Sequence, residues 1–292
     1  MTPGRRRLPG TPAPIHTWTT PDGLRIAGDA WGDLGAPLVL LLHGGGQTRH
    51  AWRNTGRLLA EAGYRGVAYD ARGHGDSDWS PQADYGVDAM VRDLVSVLAA
   101  QKSARPILIG ASMGGGTSLI AIGEGLVEAG ALILVDSVPL VEAEGVARIH
   151  AFMDQKEQGF ASLEEVAEAI AAYQPQRARP RKLDGLAKNV RLGDDGRYYW
   201  HWDPNIRTNR SEMQSDRRAR RSASARKLTL PTLLVRGGSS DVVSEEGVRD
   251  FLALCPHAKF VDVAGAGHMV AGDRNDAFGR VAAEFLRSGP FA

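Results

Sequence analysis

The residues with the clearest chemical potential are Gly110, Ser112 and Gly114, which form a Gly-x-Ser-x-Gly pattern. The pattern follows the apolar run 106–109 and precedes residues with helical spacing, so we expect it at a strand-to-helix junction. A sharp turn at such a junction holds a serine hydroxyl out at the end of a sheet as a nucleophile. Because the chain contains 35 glycines among 292 residues, the pattern alone is weak, and its surroundings must decide.

A serine nucleophile needs a base, and the sequence offers eight histidines. His268 is the preferred base, because it lies in a Gly-Ala-Gly-His-Met stretch between the last strand pattern and the last helical pattern. His43 is a second candidate, since it also follows a strand pattern, but it opens a glycine-rich loop. His74 fits a tight loop held by side-chain hydrogen bonds. We expect structural roles, or no role, for the remaining histidines: His16, His50, His150, His201 and His257.

The base must be oriented by a carboxylate, for which two residues compete. Asp241 follows the strand pattern 232–236 in a Gly-Gly-Ser-Ser-Asp loop, and it gives the chain order Ser112, Asp241, His268. Asp136 ends the strand pattern that begins at residue 131, and it would point toward the same edge. The sequence favours Asp241 as the catalytic acid, with Asp136 as the alternative.

Acyl transfer also requires N–H donors directed at the oxyanion of the tetrahedral intermediate. The amide of Met113, directly after the nucleophile at a helix N-terminus, is the first expected donor. The second should come from the stretch His-Gly-Gly-Gly at 43–46, where glycine lets the backbone approach a substrate, and we favour the Gly45 amide. The same loop lacks the glycine and lysine spacing of nucleotide-binding loops, so nucleotide binding is not expected. Acyl transfer by a serine, a base and an acid needs no metal, so neither a cofactor nor a metal is expected.

Short apolar runs alternate with helical patterns, which predicts an α/β fold: a doubly wound, mostly parallel sheet covered on both faces. The expected strands are residues 15–19, 24–31, 38–42, 66–70, 106–110, 131–136, 232–236 and 259–263. The expected helices are residues 51–62, 87–101, 114–125, 245–254 and 276–287. The core would therefore comprise residues 15–137 and 228–292.

Residues 138–227 interrupt this alternation and predict an inserted helical cap. Ser162 and Glu165 have the spacing of a capping box that opens a helix through Tyr173. Residues 177–227 contain 15 Lys and Arg against 6 Asp and Glu, a bias that can attract an anionic partner or simply form a solvated surface. Trp200, Trp202 and Tyr199 are expected in the roof of an apolar pocket or in the core of the cap.

Composition is that of an ordinary folded enzyme, with net charge +1, 43% hydrophobic residues and 24% charged residues. These values indicate neither a nucleic-acid partner nor a membrane partner, and no apolar run reaches the ~18–20 residues of a membrane span. The single cysteine, Cys255, excludes an intrachain disulfide and favours a cytoplasmic protein. Residues 1–14 lack the apolar segment of a secretory signal and are predicted to form a disordered arm. Oligomeric state cannot be read from the sequence.

With these motifs in place, the chain resembles the α/β-hydrolase superfamily over residues 15–286 apart from the cap, in the branch that contains esterases, lactonases, carbon–carbon bond hydrolases, epoxide hydrolases and cofactor-free haloperoxidases. The resemblance rests on the loop 43–48, the Asp-Ala-Arg-Gly-His-Gly-Asp-Ser stretch 70–77, the turn 110–115, and the loops that end in Asp241 and His268. Serine at position 112 argues against epoxide hydrolase chemistry, which uses aspartate there.

The resemblance implies a hydrolase that cleaves a small to medium carboxylic ester or lactone through an acyl-enzyme on Ser112. The expected partner is a small-molecule substrate, with an anionic group if the basic cap takes part in binding. Two alternatives stay open: hydrolysis of a carbon–carbon bond in a dienoic diketo acid, and a non-catalytic ligand-binding protein on the same fold.

Overall fold

The computed structural model describes residues 5–155, 157–174, 183–207, 214–268 and 275–289. The strands are β1 (Arg5–Arg7), β2 (His16–Thr19), β3 (Arg25–Trp31), β4 (Leu38–Leu42), β5 (Arg65–Tyr69), β6 (Ile107–Ala111), β7 (Ala131–Val135), β8 (Val190–Gly193), β9 (Tyr198–Trp200), β10 (Thr232–Gly237) and β11 (Lys259–Val263). The α-helices are α1 (Arg53–Glu61), α2 (Val87–Gln101), α3 (Met113–Gly123), α4 (Ala143–Met153), α5 (Leu163–Tyr173), α6 (Gln214–Arg226), α7 (Glu245–Leu254) and α8 (Asn275–Arg287). Short 3-10 helices cover Arg49–Trp52, Leu183–Asn189 and Pro204–Arg207.

An eight-stranded sheet in the order β11-β10-β7-β6-β4-β5-β3-β2 forms the centre of the molecule. Its strands run parallel from β11 to β5, whereas β3 is antiparallel to β5 and β2 is antiparallel to β3. Every residue of β4, β5, β6 and β7 is buried, as expected for strands covered on both faces. The predicted doubly wound α/β fold is therefore confirmed.

Two apolar cores lie on opposite faces of the sheet. One joins side chains of α2, α3 and α7, including Leu94, Leu119 and Phe251, to one face of the central strands. The other joins Trp52, at the end of the 3-10 helix before α1, and Phe278 of α8 to the opposite face. Alternate residues of each buried strand contribute to one core or the other, as the period of two dictates. The parallel strands therefore lie between two packed apolar layers.

Residues 138–227 are not the purely helical insertion that the sequence predicted. They include β8 and β9, which pair antiparallel and are followed by α6. The predicted helix after Ser162 is present as α5: the Ser162 side chain accepts from the Glu165 amide, and Glu165 in turn accepts from the Ala161 amide. The helix α6 packs on α3, where a Cβ added to Gly123 would lie 2.4 Å from Ser224 Cβ. The end of the insertion therefore joins the helical layer of the core.

The expectation of a disordered arm over residues 1–14 is wrong for the residues that the structure describes. Arg5–Arg7 forms β1 and pairs antiparallel with β8, so the arm supplies the third strand of the small sheet. Leu8 is buried in a cap core with Phe160 and Trp200. Residues 1–4 lie outside the described part. The misprediction has a local cause, because three arginines show no apolar alternation even though the backbone forms the strand.

No helix among the described residues is long and apolar enough to cross a membrane.

Candidate active site

Ser112 stands in a strained turn between β6 and α3, with φ of 45°. A Cβ added to Gly110 would lie 2.5 Å from the Gly114 oxygen, and one added to Gly114 would lie 2.5 Å from the Leu42 oxygen. Both contacts are too short for any side chain, so the two glycines are required by the closeness of the chain segments. The Ser112 amide donates to the Val135 oxygen at 3.0 Å, which ties the turn to β7. The turn expected from the sequence is thus present.

His268 contacts Asp136, with 2.6 Å between the histidine Nδ1 and the aspartate Oδ2. Asp136 follows β7 directly, is 1% exposed and has φ of 47°. Its Oδ1 accepts from the Gly237 amide at 3.0 Å, and its Oδ2 also accepts from the Ser240 hydroxyl at 2.5 Å. The carboxylate is therefore fixed by two donors besides the imidazole.

The expected contact between Asp241 and His268 is not present. Asp241 instead pairs with Arg148 of α4, at 2.8 Å to the guanidinium Nη2, and its side chain is 41% exposed. The loop after β10 does reach the site, but the side chain that it contributes is that of Ser240, which donates to Asp136. The order of the sheet explains the difference, because β7 is the sheet neighbour of β6 whereas β10 is one strand further away. An acid at the end of β7 is therefore nearer to Ser112.

The loop that carries His268 is held against the end of β10. The Ser239 amide donates to the Ala266 oxygen at 2.9 Å, and the Gly238 amide donates to the Val263 oxygen at 3.0 Å. A Cβ added to Gly237 would lie 2.1 Å from the Gly267 oxygen, so only glycine permits this approach. These contacts fix the backbone that precedes the imidazole.

A cavity of about 1230 Å³ opens over this edge of the sheet. Ser112, Asp136 and His268 are all among the residues that line it. Gly45 and Met113 line the same cavity. Trp200 and Trp202 form part of its wall, as the sequence suggested, and their rings stack with centroids 4.8 Å apart. Tyr199 lies elsewhere, with its ring 3.9 Å from the Arg5 guanidinium.

The Gly45 amide, which is expected to donate to an oxyanion, differs from the amides on either side of it in its hydrogen bonding. The Gly44 amide donates to Gln47 Oε1 at 2.9 Å, and the Gly46 amide donates to His74 Nε2 at 3.2 Å. Between them, the Gly45 amide forms no hydrogen bond within the described residues. Met113 is the first residue of α3, where backbone amides have no partner inside the helix. Both amides are thus available to a bound group.

Three buried histidines hold the loop 44–46 in place. His43 Nε2 accepts from the Ala71 amide at 2.9 Å, so its Nδ1 carries the proton that is donated to the Gly44 oxygen at 2.8 Å. His74 Nε2 accepts from Gly46, and its Nδ1 donates to the Arg72 oxygen at 3.1 Å. Each ring is therefore locked in one neutral tautomer by two backbone groups.

His201 completes this arrangement from the inserted segment. Its Nδ1 accepts from the Gly75 amide at 2.9 Å, so its Nε2 donates to the Gly46 oxygen at 3.2 Å. Burial lowers the pKa of His43, of His74 to about 3, and of His201 well below its ordinary value. Sequence reasoning missed the role of His201, since a contact between residues 155 positions apart leaves no local signal. We call His43, His74 and His201 the histidine clamp.

A buried ion cluster lies beneath the clamp. Arg49 is fully buried, with its guanidinium paired to Asp70 at 2.5 Å, Asp76 at 2.9 Å and Asp29 at 3.0 Å. Burial alone would raise the pKa of Asp70, but the Arg49 charge and the donated hydrogen bonds lower it to about 2. The Arg191 guanidinium also reaches Asp76, at 3.0 Å, and links this cluster to β8. The Arg49 guanidinium therefore holds three carboxylates together, and Arg191 ties them to the small sheet.

The remaining histidines occupy varied positions. His150 lines the cavity on α4, and His50 lies near Asp29, where burial lowers its pKa to about 4. His16 stacks on Trp18, and His257 lies against the Leu230 oxygen. None of these rings contacts Asp136 among the described residues. No group of three or more His, Cys, Asp or Glu side chains in that part of the chain could hold a metal ion.

The family model described as the alpha/beta hydrolase fold matches residues 37–274. The chain belongs to the α/β-hydrolase fold family. The match includes the Ser112 turn, Asp136 and His268, and it confirms the superfamily suggested by the sequence.

Curated relatives of this α/β hydrolase match over most of their length. The esterase Rv0045c of Mycobacterium tuberculosis is 30% identical over 259 residues, which is 84% of this chain and 80% of that protein. The 3-hydroxybutyrate-oligomer hydrolase of Cupriavidus necator is 29% identical over 85% of this chain and 89% of that protein. The prediction that the chain is a hydrolase enzyme is thereby confirmed.

Solved structures agree on the fold. The crystal structure of the Mycobacterium tuberculosis esterase Rv0045c superposes with a TM-score of 0.73 at 26% identity, over 96% of this chain and 93% of that chain. The structure of E-2-(acetamidomethylene)succinate hydrolase superposes with a TM-score of 0.80 at 21% identity, over 93% of this chain and 98% of that chain. The second likeness concerns the fold alone.

Proposed function

We propose that this α/β hydrolase is a serine esterase, which cleaves a carboxylic ester or lactone through an acyl-enzyme on Ser112. The observation that carries the proposal is the 2.6 Å contact between His268 Nδ1 and Asp136, in a cavity that Ser112 also lines. An imidazole held through Nδ1 by a buried carboxylate keeps Nε2 available as a base. Asp136 therefore takes the role that the sequence had assigned to Asp241.

Ester bonds are the proposed target because the chain is related over most of its length to an esterase and to a hydrolase of hydroxybutyrate oligomers. Both relatives are named for the cleavage of ester-linked compounds, at 30% and 29% identity. The chemistry of the cavity is consistent with that target, since hydrolysis of an ester needs a nucleophile, a base and oxyanion donors. The chain is accordingly an ester-acting hydrolase.

The proposed reaction begins with attack of Ser112 Oγ on the substrate carbonyl carbon while His268 Nε2 takes the hydroxyl proton. Asp136 stabilises the imidazolium that forms, and the Gly45 and Met113 amides donate to the oxyanion. Collapse of the tetrahedral intermediate breaks the bond to the leaving alkoxide, which receives the proton from His268. Water then attacks the acyl-enzyme, with His268 as the base, and releases the carboxylic acid and free Ser112.

The cavity admits more than a short ester. Its volume of about 1230 Å³ is at or above the upper end of ordinary ligand pockets. Phe152 and Tyr173 stack with ring centroids 4.4 Å apart on the wall formed by α4 and α5, beside Trp200 and Trp202. This aromatic wall favours substrates with an apolar portion next to the ester. We expect the substrate to be a free small molecule.

Labelling with a fluorophosphonate tests the proposal directly. We expect the wild-type protein to gain one phosphonyl group on Ser112, identified by peptide mass spectrometry, and to hydrolyse p-nitrophenyl butyrate. Ser112→Ala should lose both labelling and hydrolysis while retaining its circular dichroism spectrum. Ser239→Ala, an exposed serine in the loop after β10, is the matched control and should retain both. Hydrolysis that persists in Ser112→Ala would refute the acyl-enzyme, and a wild-type protein without labelling would favour a non-catalytic binding role.

A further inference from the structure

Ser240, in the loop after β10, has a hydroxyl group whose hydrogen-bonding positions are all filled. It donates to Asp136 Oδ2 at 2.5 Å, and it accepts from the Val242 amide at 3.2 Å and from the Val243 amide at 3.1 Å. A serine hydroxyl has one proton to donate and two acceptor positions. Because amides fill both acceptor positions, the proton is directed at Asp136.

The two residues that donate to the Ser240 hydroxyl are themselves held in place. The Val242 oxygen accepts from the Glu142 amide at 2.9 Å, and the Val243 oxygen accepts from Arg236 Nε at 2.7 Å. Both valines are buried, at 3% and 0% exposure. The direction of the Ser240 hydroxyl is therefore set by packed backbone rather than by solvent.

The Asp136 carboxylate depends on its surroundings for its orientation. The last torsion of an aspartate side chain is broad, so the carboxylate plane has no strong preference of its own. Here one donor binds each oxygen: the Gly237 amide binds Oδ1 at 3.0 Å, and the Ser240 hydroxyl binds Oδ2. The same Oδ2 lies 2.6 Å from His268 Nδ1. Together the two donors fix the plane in which the carboxylate contacts the imidazole.

We propose that Ser240 is a positioning residue, which holds Asp136 in the orientation that keeps the His268 proton on Nδ1. The inference rests on the proposed function and adds a fourth side chain to it. Ser240 is not among the described residues that line the cavity, so it acts on the substrate only through Asp136 and His268. A base that takes the serine proton on Nε2 must carry its own proton on Nδ1. When the carboxylate is not held, that proton can move to Nε2, and the base is lost.

A matched set of substitutions isolates the hydroxyl group. Ser240→Thr keeps it, whereas Ser240→Val replaces it by a methyl group on a side chain of the same shape, and Ser240→Ala removes it without adding an atom. We expect Ser240→Val and Ser240→Ala to lower kcat for p-nitrophenyl butyrate at least ~10-fold with KM unchanged, because the catalytic groups lose a supporting hydrogen bond. Ser240→Thr should stay close to the wild type.

The comparison excludes a purely steric or structural effect. Ser240→Thr and Ser240→Val both add a methyl group, so any cost of that group is common to the two proteins. Ser239→Ala, which changes the neighbouring exposed serine, is the control and should leave kcat and KM unchanged. Equal kcat values in Ser240→Thr and Ser240→Val, or a wild-type kcat in Ser240→Ala, would overturn the proposal.

NMR spectra of the imidazole nitrogen atoms test the same inference without a substrate. They report which ring nitrogen carries the proton, and the His268 signals are those that disappear in His268→Gln. At pH 8, where an unperturbed imidazole is neutral, we expect the Nδ1–H form of His268 in the wild type and in Ser240→Thr. In Ser240→Val we expect a mixture of the two tautomers.

The two measurements separate this inference from the proposed function. If no ester is hydrolysed but Ser240→Val shows mixed tautomers, the esterase proposal fails and the positioning by Ser240 stands. If esters are hydrolysed and Ser240→Val keeps both the wild-type kcat and the Nδ1–H form, the positioning role fails and the esterase proposal stands. In an active enzyme, either change without the other also overturns the inference, because it requires both. With neither hydrolysis nor a change of tautomer, both proposals fail.

Discussion

The two sides of the cavity hold their residues in different ways. The floor, at the carboxyl edge of the sheet, consists of buried groups such as Asp136, His43 and His74, each fixed by two or more hydrogen bonds. The roof, formed by α4, α5 and the start of α6, is much less buried: Gly145 is the buried residue of α4 and Val166 that of α5. By contrast, α3 beneath the floor buries nine of its eleven residues.

This difference separates two tasks. Acyl transfer needs donors and a base placed within a few tenths of an ångström, which only a densely bonded floor can provide. Substrate selection needs a wall whose side chains can change without disturbing that geometry, and a half-exposed roof provides it. Variants of the floor should therefore reduce stability or kcat, and variants of the roof should change the choice of substrate. His201 is the exception, since it belongs to the inserted segment but holds the floor loop.

The largest expected effect concerns the stability of the floor. Arg49→Leu leaves Asp70 and Asp29 buried without the guanidinium that pairs with them, and it removes one of the cations next to Asp76. Removal of one partner from a buried ion cluster typically costs ~3–5 kcal/mol. We expect a decrease of that order in the free energy of unfolding, measured with urea. Arg25→Leu is the matched control. The Arg25 side chain is 55% exposed, so its pair with Asp78 lies at the surface and is worth less than ~1 kcal/mol. Equal costs for the two variants would remove the distinction between buried floor and exposed surface.

The second expected effect concerns the link between the two sides. His201→Ala removes the donor to the Gly46 oxygen and the acceptor of the Gly75 amide, so the loop that carries the Gly45 amide loses one of its supports. We expect kcat for p-nitrophenyl butyrate to fall ~10-fold with little change in KM, as for an interaction that matters in the transition state. His257→Ala, on the surface against the Leu230 oxygen, should leave kcat unchanged. A decrease in thermal stability without a decrease in kcat would show that His201 has a purely structural role.

The third expected effect is a pH dependence of stability that arises from the histidine clamp. Burial lowers the pKa of His74 to about 3 and lowers the pKa values of His43 and His201, so the folded protein leaves these rings unprotonated. The unfolded chain protonates them below about pH 6.5. Unfolding therefore takes up protons, and the free energy of unfolding falls as pH decreases from 7 to 5, by up to ~1.4 kcal/mol per pH unit for each ring.

Urea unfolding at pH 7, 6 and 5 measures this slope. His50, whose pKa burial lowers to about 4, contributes in the same direction. His201→Ala should show a slope smaller by about one proton than the wild type. A stability that does not change between pH 7 and pH 5 would contradict neutral, tautomer-locked rings.

Much of the core could be predicted from the sequence, for a physical reason. The strand β4 and the helices α2 and α7 have the predicted bounds, because a buried strand is a continuous apolar run and an amphipathic helix repeats every three to four residues. The strand β11 also has the predicted bounds, although most of its residues are exposed. The strands of the small sheet could not be predicted. Arg5–Arg7 pairs with Val190–Gly193 across the chain, and its three arginines show no apolar alternation. Val190–Gly193 does alternate, but over only two apolar residues, which is too short a pattern to predict a strand.

The site shows the same division. Ser112 and His268 were identified because short local motifs mark them, and the structure brings both to one cavity. The identity of the acid depends instead on sheet order, which places β7 beside β6. It also depends on the loop after β10, whose Ser240 side chain donates to Asp136. His201 had no local signal, because its partners Gly46 and Gly75 lie more than 120 residues away. Contacts that are distant in the chain are the ones that sequence reasoning left out.

A comparison of Asp136→Asn with Asp241→Asn tests the central claim most directly. Both substitutions keep the side-chain shape and remove the charge, and both proteins should remain folded. Loss of the orienting carboxylate costs ~10⁴ in kcat in the reference case of a catalytic triad, so we expect a decrease of 10³-fold or more for Asp136→Asn with p-nitrophenyl butyrate. Asp241→Asn removes only an exposed pair with Arg148 and should stay within twofold of the wild type. Inactivation by Asp241→Asn, with activity retained in Asp136→Asn, would contradict the account.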